Sequence, residues 1–276
     1  MERLTKHGGY NSPWAVKKVA KRFADKEHQD FSKRLLHEAE ILKGLKHPNI
    51  IGFRTITKSL DDTWCLAMEK AEHSLMDLIE ERRDNDQGPF LPEQIRCVGS
   101  DIAKALNYLH DDRLLMHGDI KSANVLIFEN FKLAKLCDFG VTLHLKDKDG
   151  EVKPNSYYIG TEAWTAPEVI SLDVLDEEIV VTSKADIFSY GLTIWEMLSL
   201  NLPHYDLLDT DSTDSCSSFD EADNDELYRE ALGSRPPLPD LPTEPDYKNV
   251  VAVFIATTEE DPSKRPQAAE LVPMWM

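Results

Sequence analysis

Cysteine is scarce: Cys65, Cys97, Cys137 and Cys216 are four thiols in 276 residues, far apart and without a Cys-x-x-Cys pair. That excludes a disulfide-dense secreted framework, and reduced thiols in a cytoplasmic and/or nuclear protein are expected. Long apolar runs are lacking as well. The longest, Val250 to Ala256, is far short of the roughly 20 residues that span a bilayer. Met1 is followed by the charged Glu2, Arg3 and Lys6, so neither an export signal nor membrane insertion is expected. Positive charge is the third shortage. Lys and Arg number 31 against 50 Asp and Glu, a net charge of -19; direct binding to nucleic acid, which needs a clustered positive surface, is not expected.

What is present begins with a strand-like run at Trp14 to Val19 and helical apolar spacing over Asp30 to Leu45 (Phe31, Leu35, Ile41, Leu42 and Leu45). Ile50 to Thr57 and Thr63 to Met68 alternate like a hairpin turning through Ser59 to Asp62. After a polar connector at Glu69 to Ser74 the spacing turns helical in Leu75 to Arg83, Pro92 to His110 and Lys184 to Leu200. Two short β-like runs, Val125 to Phe128 and Lys132 to Leu136, stand between them, followed by a long irregular stretch from Asp138 to Thr165. Asp206 to Glu226 holds nine carboxylates and no Lys or Arg, so it reads as a solvated, irregular insertion that favours encounter with basic proteins.

The chemistry concentrates in an ordered set of short motifs. His117-Gly118-Asp119-Ile120-Lys121-Ser122-Ala123-Asn124 is followed by Asp138-Phe139-Gly140 and Ala166-Pro167-Glu168, and preceded by Ala15-Val16-Lys17 and a helix bearing Glu38. Each piece alone is a common turn or strand sequence. Together they supply what phosphoryl transfer needs, namely cations around phosphates and a carboxylate beside the attacking hydroxyl.

In order and spacing this set resembles the protein kinase superfamily over nearly the whole chain, Met1 to Val272. The resemblance implies an α+β, bilobal fold: a small antiparallel β lobe with one helix over residues 1–71, its first strands missing, and a larger, mainly α lobe over residues 72–276 with the acidic insertion at 206–226. It implies a serine/threonine kinase that takes ATP and Mg²⁺ to phosphorylate protein substrates, basic ones among them. Asp119 would be the catalytic base, Lys121 would reach the transferred phosphate, and Asn124 and Asp138 would hold the metal. Lys17, oriented by Glu38, would hold the α and β phosphates. Met68 would guard the back of the base pocket, Glu69 to Ala71 would offer backbone hydrogen bonds to adenine, and Ala15 and Leu126 would sandwich the ring, a plain core role remaining open for these two. Asp186 resembles the brace of the catalytic loop, and Arg265 the buried partner of Glu168. Lys121 with Thr161 matches the Ser/Thr pattern. His117-Gly118-Asp119, Tyr158 to Trp164 and Leu232 to Pro237 are similar to mitosis-linked, MAP-kinase-kinase-like members, which extends the implied specificity to Tyr.

Three departures bear on these expectations. No Gly-x-Gly-x-x-Gly precedes Lys17, and Gly8-Gly9 suits a tight turn better than a phosphate cradle. A truncated copy, a short isoform and a degenerate kinase are all open, and a catalytically impaired kinase-like scaffold or binding module is the alternative function. The C-terminus, Met274-Trp275-Met276, lacks the hydroxyl and terminal aliphatic residues that PDZ grooves read, so PDZ binding is not expected. Gly118 stands where the usual arginine would clamp an activation-segment phosphate.

Overall fold

Leu35, Glu38, Ala39 and Leu42 fall at three- and four-residue spacing and are all buried, which makes one stripe of the helix α1 (Asp25–Gly44) face the core. In this computed structural model residues 14–18, 25–154, 156–170, 180–207, 221–243 and 245–276 are described. Val19, Gly8-Gly9 and most of the acidic stretch, residues 208–220, lie outside them.

α1 packs on an antiparallel sheet of β1 (Trp14–Lys18), β2 (Phe53–Lys58) and β3 (Trp64–Glu69), ordered β1-β3-β2. The β1–β3 register sets Ala15 against Met68 and Lys17 against Leu66. The first hairpin strand starts at Phe53 rather than Ile50 for a visible reason: Ile51 N–H donates to Leu136 O at 3.0 Å and Leu136 N–H to Asn49 O at 2.9 Å. The chain there is pairing with the other lobe.

The larger part begins at β4 (His73–Ser74) and α2 (Leu75–Asp84), whose entry is a capping box between Ser74 and Asp77. α3 (Pro92–Asn107) follows, and its last turn widens into a π-helical turn at Tyr108–Asp112. β5 (Leu115–Met116), β6 (Val125–Phe128), β7 (Leu133–Leu136) and β8 (Leu143–His144) are short. They form a sheet β4-β6-β7 and a pair β5-β8 beneath the cleft. β8 therefore lies inside the stretch expected to be irregular. α4 (Pro167–Ile170), α5 (Lys184–Ser199), α6 (Glu221–Ala231), α7 (Lys248–Thr257) and α8 (Ala268–Met274) complete the lobe. α6 corrects the expectation of an irregular acidic stretch, because residues 221–226 are its first turns. No helix among the described residues is long and apolar enough to cross a membrane.

α5 is buried on every side from Ala185 to Leu198 and forms the axis of this lobe. The C-terminal segment closes on it. Trp275 is 3% exposed and its indole N–H donates to Tyr190 Oη at 2.7 Å, while the Tyr190 hydroxyl donates to Gly99 O at 2.9 Å. A Cβ on Gly99 would lie 2.3 Å from the Trp275 ring. Gly99→Ala gains about 1 kcal/mol of helix propensity, but overpacking a filled core costs about 1–3 kcal/mol. The variant should therefore unfold at lower urea than the parent chain; an unchanged midpoint would mean that the indole can back out freely.

Candidate active site

Lys17 projects from β1 between two carboxylates. Its Nζ lies 2.9 Å from Glu38 Oε2 and 2.8 Å from Asp138 Oδ1. Glu38 is 1% exposed, whereas Lys17 and Asp138 are each about two-fifths exposed, so one buried and one open carboxylate share a cation at the cleft wall. Burial works against the charged lysine, but Glu38 and Asp138 outweigh it and hold the ammonium above its usual range. Burial pushes the Glu38 carboxyl up, with Lys17 pulling the other way. Asp138 adopts a left-handed backbone, φ 62°, and its Oδ1 accepts from Gly140 N–H at 3.4 Å.

Across the cleft, Asp119 is the centre of a second cluster. Its Oδ1 accepts from Thr161 Oγ1 at 2.6 Å, and its Oδ2 lies 2.9 Å from both Lys121 Nζ and Asn124 Nδ2. Asn124 Nδ2 also donates to Asp119 O at 2.7 Å, and Lys121 Nζ to Thr161 Oγ1 at 2.5 Å. Burial raises the Asp119 carboxyl, and the hydrogen bonds from Thr161 and Lys121 overcome it, leaving the group below the ordinary carboxylate range. A cavity of about 490 Å³ is lined by Lys17, Glu38, Asp119, Lys121, Asp138 and Thr161, among others. Asn124 stands behind Asp119.

Asp119 is held from beneath. Asp186, at the start of α5 and 1% exposed, accepts from His117 N–H at 2.8 Å, Gly118 N–H at 2.9 Å and His110 Nε2 at 2.8 Å. Gly118 has φ 81°, and a Cβ there would lie 3.1 Å from Val141 O. His117 Nε2 donates to Cys137 O at 3.0 Å while its Nδ1 accepts from Asp119 N–H at 3.2 Å, so one ring ties the residue before Asp138 to the loop of Asp119. Farther down, Arg265 is fully buried and grips Glu168 through two hydrogen bonds of 2.7 and 2.8 Å.

The residues assigned to the base pocket do not line that cavity. Met68 is in the apolar core, and Ala15 and Leu126 pack against the same cluster from the two sheets. Glu69 has an unforeseen job. Both its carboxylate oxygens accept from Lys135 Nζ, at 2.8 and 2.7 Å, so the end of β3 is ion-paired to β7 of the other lobe. Its N–H donates to Gly52 O at 2.9 Å. Ala71 lies in the connector, partly exposed.

A protein kinase domain pattern matches residues 3–276 of the chain. The chain belongs to the protein kinase family. It is 46% identical over 264 residues to the human lymphokine-activated killer T-cell-originated protein kinase, which covers 95% of this chain and 80% of that protein. To the probable serine/threonine-protein kinase drkC of Dictyostelium discoideum it is 31% identical, over 69% of the chain and 24% of the relative. It is 34% identical to the mouse mitogen-activated protein kinase kinase kinase 13 over 60% of the chain and 16% of the relative. The bilobal α+β fold is that of the family. Protein kinases in general use ATP with a divalent metal and act on proteins.

Two contributors to this kinase site escaped the sequence reading. His37 Nε2 donates to Thr142 O at 3.0 Å, joining α1 to the segment after Asp138-Phe139-Gly140. Glu196, 1% exposed, accepts Ser122 N–H at 3.1 Å and Trp164 Nε1–H at 2.8 Å on Oε2, and the Ser122 hydroxyl on Oε1. The available signal was a lone carboxylate in the apolar run of α5. Burial pushes the Glu196 carboxyl up to about 7, against the pull of those hydrogen bonds. An acid whose folded value is raised favours folding below its unfolded value, and that contribution is lost as pH climbs through the folded value. The kinase should therefore lose stability between pH 4.5 and about 7 through this group. Urea midpoints of the parent and Glu196→Gln chains, measured at about pH 5 and about pH 8, should differ by more at the lower pH in favour of the parent; a constant difference would refute the assignment.

Proposed function

We propose that this kinase transfers the γ-phosphate of ATP to the hydroxyl groups of Ser and Thr in protein substrates, using Mg²⁺, with Asp119 as the base. The observation that carries the reading is the facing pair of clusters across one cavity, Lys17 with Glu38 and Asp138 on one side and Asp119 with Lys121, Asn124 and Thr161 on the other.

The donor set fits a hard divalent cation. Asn124 uses its Nδ2 on Asp119, which leaves its amide oxygen as a ligand, and Asp138 is a partly exposed carboxylate on the cavity wall. Two protein oxygens suit Mg²⁺, which completes its shell with phosphate and water, and when bound it neutralises charge building on the phosphates. Lys17 supports the α and β phosphates as a cation held in place by Glu38. The substrate hydroxyl donates to Asp119; as its oxygen forms a bond to the γ-phosphorus, the bond to the β-bridging oxygen breaks, ADP leaves with that electron pair, and the hydroxyl proton passes to Asp119. Lys121 lies near enough to Asp119 to meet the transferred phosphate. With Glu69 N–H occupied by Gly52 O, the backbone donor to the adenine edge falls to Ala71, with the Glu69 carbonyl as acceptor, Met68 behind, and Ala15 and Leu126 above and below the ring.

Ser/Thr preference rests on the Lys121–Thr161 contact at 2.5 Å and agrees with the names of two relatives. The net charge of -19 supports basic protein substrates. The described cysteines, Cys65, Cys97 and Cys137, are free thiols, in keeping with the cytoplasm or nucleus as the working compartment. Asp119→Asn keeps the hydrogen-bonding shape and removes the base. Transfer of radiolabelled phosphate from ATP to a Ser/Thr peptide library should fall at least about 100-fold with an unchanged melting curve. Full transfer by the folded variant would remove Asp119 from the mechanism.

A further inference from the structure

Glu38 meets Lys17 only while α1 stays against the cleft. Kinases commonly secure this helix and the activation segment through a phosphate clamped by arginine. Gly118 offers no such side chain, and at φ 81°, with Val141 O 3.1 Å from where its Cβ would be, one could be carried here only with strain. Something else must tie the helix, the activation segment and the catalytic loop together.

Thr142, one residue past Val141, is 2% exposed and held from two sides. Its hydroxyl donates to His117 O in a longer contact of 3.4 Å, and its carbonyl accepts from His37 Nε2 at 3.0 Å. His37 immediately precedes Glu38 on α1, and His117 stands two residues before Asp119. One buried threonine thus joins the helical turn that presents Glu38 to the loop that presents Asp119, with no phosphate between them. Both contacts end on main-chain carbonyls, and the link needs the His37 ring, the Thr142 hydroxyl and the backbone path of the activation segment.

We propose that His37 is a positioning residue that latches α1 inward through the Thr142 carbonyl, so that the Lys17–Glu38 pair forms without phosphorylation of the activation segment. The proposal rests on the phosphoryl-transfer reading for its catalytic consequence and on geometry alone for the latch. His37→Gln retains an N–H of similar reach, whereas His37→Ala removes the donor and leaves the Thr142 carbonyl without it.

The test takes the full chain, freed of phosphate by a phosphatase and checked by intact mass, and follows amide hydrogen exchange in residues 34–43 and 139–145, with α5 as the fold control. Losing one such bond should speed exchange in both segments about tenfold in His37→Ala, with His37→Gln close to the parent. In the same samples kcat should fall about tenfold in His37→Ala and recover in His37→Gln, with KM for the protein substrate unchanged. Should His37→Ala fail to fold, His37→Leu is read in its place. Unchanged exchange without the donor, a glutamine that fails as badly as alanine, or a phosphate-free parent that has already lost protection in α1 would each overturn the latch. A parent chain that transfers no phosphate yet shows the exchange pattern would sink the kinase reading and leave the latch standing.

Discussion

Asp186 takes a negative charge almost wholly out of water, and the catalytic loop is shaped by how that charge is satisfied. An isolated buried carboxylate is costly, and it is tolerated only when hydrogen bonds replace the lost solvent. Here burial pulls its carboxyl up and His110 leads the groups that more than reverse it, so the group is held below the ordinary carboxylate range. Two of the replacements are the successive N–H groups of His117 and Gly118, which can point at one carboxylate only if the backbone between them bends. The His117 backbone between the two N–H groups makes that bend, and the positive φ of Gly118 that follows turns the chain on towards Asp119 and the cleft. Removing Asp186 would strand two backbone donors as well as a histidine, so the loop and the lobe beneath it are a single construction.

Glu196 repeats the device one layer away, with a different balance. It holds Ser122, which lies between Lys121 and Asn124, and it holds Trp164, three residues after Thr161. Thr161 and Lys121 meet again at Asp119. The catalytic loop and the activation segment are therefore closed into a ring through two carboxylates, one buried in α5 and one at the cavity. Hydrogen-bonded chains of this kind fix geometry better than separate pairs because each member orients the next. Between the lobes two ionic links add to the backbone pairing of Asn49 and Ile51 with Leu136: Lys17 to Asp138, and Glu69 to Lys135, whose ammonium also lies 5.1 Å from the centre of the Phe128 ring.

The fold was largely legible because its signals are local. Apolar spacing marked α1, α2, α3 and α5, alternation marked the hairpin, and the ordered motifs marked which lobe each belongs to. Expectations drifted where distant partners decide the outcome. Ile50 reads as strand residue by alternation, but Leu136 claims the backbone around it. The first turns of α6 carry a run of carboxylates that composition reads as solvated and irregular. Within the site, sequence motifs located Lys17, Glu38, Asp119, Lys121 and Asp138 on the cavity wall and Asp186 beneath them, and they were silent about His37 and Glu196. His37 and Thr142 are 105 positions apart, and Glu196 and Ser122 are 74 apart; nothing in the local pattern at either end announces the other.

Gly118 shows why a missing side chain should be weighed as backbone geometry before it is weighed as missing charge. At the motif level it reads as an arginine lost, with a phosphate clamp lost alongside. In the structure the same position must accept φ 81° and a close approach to Val141 O, conditions that glycine meets at little cost and that any branched or charged residue would meet only with strain. The close approach lets the segment after Gly140 lie directly on the catalytic loop, where Thr142 becomes buried and reaches His117 O. One residue thus bears on both the missing charged side chain and the close approach of the two backbones. An arginine at position 118 would bring back the charge but would set its Cβ 3.1 Å from Val141 O at φ 81°, so the charge would come with backbone strain.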